Sequence, residues 1–280
     1  MQVHHRMPRS LGVDDARRQG ERAVRSPAMG WLARAGLVAR GAVYAIIGIL
    51  ALKLALGDGG KATNQQGALR TIADGAFGKT LLVLMAIGLA GYAIWKLVRA
   101  AVGHGAEQRD EASDRVSALA SGIAYAVLCF TAIGILTGSG GGSGSPRKAT
   151  GGVLDWTGGR LLVALAGIVL IGVAGYQAYK GLKRKFLEDA HTERMGQPVE
   201  RAYTALGIAG HVARAVVFAL IGYGLIAAAV RYDPDKAVGL DGALRQLAHA
   251  SYGPVLLGVV AAGLVCFAAY SLADARFRKV

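Results

Sequence analysis

Two arginines lie at matching places inside apolar stretches: Arg40 within Leu32–Leu56 and Arg214 within Ala205–Val230, 174 residues apart. A cation in a hydrocarbon core is costly unless it meets an acid, an anion or a polar cavity, so these two are the first places to look for chemistry. Arg40 lies six residues beyond Arg34, about 9 Å deeper along a helix, a distance that a long side chain can also span back to the headgroups. Snorkelling and an anion site therefore stand side by side. Ser121 occupies the corresponding position 81 residues after Arg40, and His211 precedes Arg214 by about one turn. Arg40, Arg214, Ser121 and His211 form the candidate ligand-binding set. A second pair, Arg70 and Arg245, closes two copies of Gly-Ala-Leu-Arg and would meet anions or lipid phosphates at the opposite surface.

Signatures of catalysis are missing from the chain. It has no HExxH, no G-x-S-x-G and no phosphate-cradling loop. Cys129 and Cys266 stand apart in apolar runs and make no CxxC, so neither a metal site nor a disulfide framework is expected. A transmembrane haem needs two axial ligands at one depth, and of the histidines only His211 falls within a span. Asp58, Asp74, Asp155 and Asp274 fall at run ends or in loops, so the spans offer no acid for proton coupling. The expectation is a protein that is not an enzyme and holds no cofactor.

The elements that carry these residues are apolar nearly all round. Hydrophobic residues make up 53% of the 280, and six runs approach the roughly 20 residues that a helix needs to cross a hydrocarbon core. A helix without a wide polar face belongs in lipid. The net charge of +14 is not that of a nucleic-acid-binding domain, because the cations cluster beside the runs instead of covering one folded surface. Counted on alternate sides of the six runs, twenty Lys and Arg fall on the side of both termini and nine on the other. The positive-inside rule then places both termini in the cytoplasm of a bacterial inner-membrane protein. Trp31 and Trp95 are expected at that same edge as interfacial aromatics.

The runs come in pairs that repeat. Gly67–Gly78 and Gly242–Gly253 share six of twelve residues, and both end on an aromatic residue followed by Gly. Tyr44 matches Tyr125 at an offset of 81 and Phe218 at 174, while Gly88, Gly91 and Tyr92 match Gly172, Gly175 and Tyr176 at 84. Four segments follow: a basic cytoplasmic tail over 1–30 and membrane repeats over 31–105, 113–187 and 200–279. Each repeat has two spans, so the three copies cross in the same sense as parallel repeats, in a ring or an open row. In the second, Gly138–Pro146 reads as a flexible Gly/Ser connector. Glycines three apart on one face of a span let helices approach closely.

Three two-helix units, with Gly-Ala-Leu-Arg opening the return, Tyr or Phe in the first helix and Gly-x-x-Gly-Tyr in the second, resemble the bacterial domain-of-unknown-function family 1206 over about residues 31–278. The resemblance implies an all-α polytopic membrane fold and brings no activity with it. The second unit departs from the pattern: it lacks Gly-Ala-Leu-Arg and has Ser121 in place of an arginine. The functional expectation is a non-enzymatic membrane scaffold, or a component that binds lipid or a membrane-protein partner. Anionic headgroups are expected against its basic face, and nucleic acid is excluded. The alternative is a channel or passive carrier for a small anion along a pseudo-three-fold axis.

Overall fold

A computed structural model describes residues 27–75, 77–102, 112–138 and 146–279. The basic tail up to Ser26 and the Gly/Ser connector from Ser139 to Ser145 lie outside the described residues. Among the described residues nine α-helices follow in chain order: α1 Pro27–Leu56, α2 Gln65–Ala73, α3 Gly78–Val102, α4 Ala112–Leu136, α5 Pro146–Leu154, α6 Gly159–Leu182, α7 Gln197–Arg231, α8 Leu240–Ala248 and α9 Gly253–Phe277. Six of them, α1, α3, α4, α6, α7 and α9, are long and apolar enough to cross a membrane. The protein is a multi-pass, all-α membrane protein built from three repeats, each a span, a nine-residue helix and a second span.

The short helices are amphipathic where the spans are not. In α2 the buried residues are Ala68, Leu69 and Ile72, and in α8 they are Leu240, Ala243 and Leu244, spacings that line one helical face. Asn64 caps α2 by accepting from the Gly67 N–H at 2.9 Å, satisfying one of the donors left open at a helix start. The glycine after each short helix has a steric reason. A Cβ on Gly78 would overlap the Ala73 carbonyl oxygen, one on Gly159 that of Val153, and one on Gly253 that of Ala248. Only glycine lets the chain turn so tightly into the following span, which accounts for the repeated Gly that ends the motif.

Packing runs in the order α6–α7–α9–α1–α3–α4. Glycines set the close crossings. Gly36 of α1 lies under Tyr92 of α3, Gly48 of α1 faces Ala261 and Val265 of α9, Gly210 of α7 lies against Phe267 of α9, and Gly167 of α6 meets Gly222 of α7. The two spans of the first repeat pack together, as do those of the third. Those of the second do not: among the described residues no comparable interface joins α4 to α6. The six spans form an open series whose end helices, α6 and α4, share no comparable interface among the described residues.

This gap corrects the reading of the small-residue face. Gly88 and Gly91 pack against Ala35 and Leu32 of α1, but their counterparts Gly172 and Gly175 have nothing within 4 Å. The first repeat can close because Gly36 leaves room for Tyr92, whereas the residue 81 positions later is Ser117.

Candidate functional site

The spans bring Arg40, Arg214 and His211 to one aromatic cluster. Arg40 comes from the middle of α1 and is 9% exposed. Its Nε donates to Ser271 Oγ at 3.0 Å and its Nη2 to Asp274 Oδ2 at 3.2 Å, both on α9, and its guanidinium lies 5.1 Å from the Phe267 ring. Asp274, expected at a solvated helix end, is 0% exposed. It also accepts from Tyr203 Oη at 2.9 Å and from Arg278 Nη1 at 2.9 Å. One carboxylate thus faces two guanidinium groups and a phenol, which completes the hydrogen bonding a buried charge requires.

A loop missed in the sequence closes this network. Residues between α6 and α7 fold back on the end of α9: His191 N–H donates to Phe277 O at 2.7 Å, and Lys279 N–H to Asp189 O at 2.9 Å. Asp189 accepts from Lys180 at 2.9 Å and from Arg278 at 3.2 Å. Phe186, 0% exposed, enters the bundle from the same loop and stacks 5.5 Å from His211. Gly207 makes room for it, since a Cβ there would overlap the ring. Trp95 is drawn into this cluster too: it is 1% exposed beneath Arg99 and Arg278, whereas Trp31 remains at the bundle surface.

Burial alone would raise the Asp189 carboxyl, but Arg278 and Lys180 outweigh it and hold that group well below the usual carboxylate range. Arg278 is pushed the complementary way: burial would lower it, and Asp274 and Asp189 raise it. A carboxyl whose folded pKa is depressed stabilises the fold above its unfolded value of about 4 and loses that contribution as the pH falls below it. Asp189→Asn is therefore expected to lower stability by about 1–2 kcal/mol near neutral pH. In thermal unfolding of the detergent-solubilised protein, the gap from the parent should narrow as the pH is taken below about 4.

Arg214, the repeat partner of Arg40, sits differently. It is half-buried, with its guanidinium 4.5 Å from the Phe267 ring, 5.1 Å from Phe218 and 5.5 Å from Tyr44. Among the described residues no carboxylate pairs with it. Its polar partner is Gln177 of α6, whose amide orientation is set by its neighbours: the oxygen accepts from Arg214 Nη1 at 2.9 Å and Nη2 at 3.2 Å, and the nitrogen donates to His211 Nδ1 at 3.2 Å. That leaves the proton of His211 on Nε2, which is buried without a partner, as is Arg214 Nε. Gln177 was invisible as a site residue because its value lies in contact with a different repeat.

The remaining candidates do not join this cluster. Ser121 is half-buried on α4 and makes no hydrogen bond to either arginine. Tyr125, one turn later, does reach inward, with its ring 4.6 Å from Tyr92. Arg70 and Arg245 are exposed on α2 and α8, on the opposite face. Arg245 lines a cavity of about 460 Å³ with Lys61, His249, Leu54 and Leu257, and Arg70 does not.

The family described as Domain of Unknown Function (DUF1206) matches residues 35–103, 116–184 and 209–278. The chain belongs to that family. A Bacillus subtilis (strain 168) relative, described as "Uncharacterized protein YxxB", is 34% identical over 242 residues, covering 85% of this chain and 87% of the relative. No solved structure matches the chain.

Proposed function

We propose that this DUF1206 protein is a non-enzymatic component of the bacterial cytoplasmic membrane that binds a lipid or protein partner from the side. The observation that carries the reading is the packing: aromatic rings and a buried ion pair fill the space round both arginines, while α4 and α6 share no comparable interface among the described residues. Tyr44 and Phe267 meet edge to face at 4.8 Å, and both arginines lie over Phe267. Asp274 already neutralises Arg40. An anion moving along the centre would have to displace these rings and compete with a buried carboxylate, which favours lateral binding over conduction. The excess of twenty cations against nine supports cytoplasmic termini.

The test is flux. Purified protein reconstituted into liposomes is expected to leave chloride and phosphate uptake at the protein-free rate. Saturable uptake that rises with protein content overturns the reading.

A further inference from the structure

The cavity of about 460 Å³ that Arg245 lines stands at the surface opposite the two termini, where the third repeat meets the first. Its size falls within the range of roughly 300–1,000 Å³ that small-molecule sites occupy. A difference between matched helices creates it. In the first repeat α2 packs on both spans of its own unit and also on α4, the first span of the next. Its counterpart α8 packs on α7 and α9, but among the described residues no comparable interface joins it to α1. The cavity occupies that place: Leu54 and Ala55 come from the last turn of α1, Lys61 from the loop beyond it, and Arg245 and His249 from α8 and its end. Both walls are fixed locally. Asp58 N–H donates to Lys53 O at 2.9 Å, and a Cβ on Gly60 would overlap the Leu50 carbonyl oxygen, so the loop that carries Lys61 is folded down on α1. On the other wall His249 Nδ1 lies 2.8 Å from the Arg245 carbonyl oxygen. A carbonyl only accepts, so Nδ1 carries a proton and ties the ring to its own helix.

The lining narrows the chemistry of the occupant. Lys61, Arg245 and His249 are its ionisable groups, and among the described residues no acid lines it. The first turn of α9 borders it through Pro254, and a helix start adds partial positive charge. The rest of the wall is apolar, with the buried Leu257 one turn further along α9. Leu54 lies two residues before the end of α1 at Leu56, and Pro254 is the second residue of α9. Span ends mark the level at which a bilayer passes from hydrocarbon to headgroups. An anion with an apolar body matches cations, an apolar wall and that level together. We infer that the cavity between α1 and α8 binds a phosphate group, with Lys61 and Arg245 on its oxygens. An anionic phospholipid of that leaflet is one source of the group and soluble phosphate the other. The inference rests on the lipid-binding part of the functional reading and gives it a headgroup chemistry.

Lipid retention by native mass spectrometry tests it, using phosphatidylglycerol and phosphatidylcholine of identical chains offered to the detergent-purified full chain. The parent is expected to retain phosphatidylglycerol about tenfold better, the equivalent of one charge-assisted contact. Lys61→Gln and Arg245→Gln should each weaken the preference and together abolish it, and both positions are exposed, so the fold is kept. Arg70→Gln removes the matched cation of the first repeat, which does not line this cavity, and should keep the preference. Ala248→Leu adds bulk to the lining without changing a charge and should reduce retention. Inorganic phosphate, compared with chloride at equal ionic strength, assigns the source: phosphatidylglycerol that stays bound identifies the lipid, and its release by phosphate alone identifies soluble phosphate. Equal release by chloride, a preference that survives the double variant, or one that Arg70→Gln removes equally, overturns the site. Failure here leaves the flux result untouched, and solute flux would overturn the functional reading whatever lipid is retained.

Discussion

Asp274→Asn is expected to cost about 3–5 kcal/mol of stability, the range for breaking a buried ion pair by removing one partner. The substitution preserves shape but leaves Arg40 and Arg278, both under 10% exposed, facing a neutral amide in place of the carboxylate they share. Arg40→Gln should cost less, because Asp274 retains Arg278 and Tyr203. Replacing Arg40 and Asp274 together by leucine removes both desolvated charges and should recover much of the loss, so the double variant is expected to be less damaged than the two singles predict. Arg214→Gln has no carboxylate to orphan and should stay within about 1 kcal/mol of the parent. Unfolding midpoints of the four variants in one detergent read this order directly. If Asp274→Asn unfolds with the parent while Arg214→Gln collapses, the roles assigned to the two arginines are reversed.

The architecture was largely legible in the chain because its signals are local. A span is a run of apolar residues, a repeat is an offset, and the short helices announce themselves by Gly-Ala-Leu-Arg and the glycine that follows. The site was legible only in part. Arg40 and Arg214 look alike in sequence, since duplication preserves the residue and not its surroundings. What separates them is Asp274, which reads as the solvated last turn of a span until the loop from Lys183 to Gly196 folds over it through the Ala190–Arg278 bridge. The spacing of Ser271, Asp274 and Arg278 at three and seven residues was the available signal, as it lines one face of α9 with hydrogen-bonding groups. The open second repeat had a fainter sign in the change from Gly36 to Ser117, which acquires meaning only once Tyr92 is seen to rest on Gly36.

That asymmetry makes the second large prediction a comparison of equivalent glycines. Gly88→Leu should destabilise the bundle by about 3 kcal/mol, because a Cβ at Gly88 would already lie 3.0 Å from the Ala35 carbonyl oxygen and a full side chain must force α1 and α3 apart. Gly172→Leu, at the matched position on α6, meets nothing within 4 Å and should leave stability unchanged or slightly raised by the better helix former. Helix propensity, hydrophobicity and side-chain volume change identically at the two sites, so only the neighbour distinguishes them. Sequence symmetry alone would make the two variants equal. Equal losses in unfolding midpoint would mean that α4 closes onto α6 as α1 does onto α3, whereas a large loss at Gly88 with none at Gly172 places the break in the packing at the second repeat.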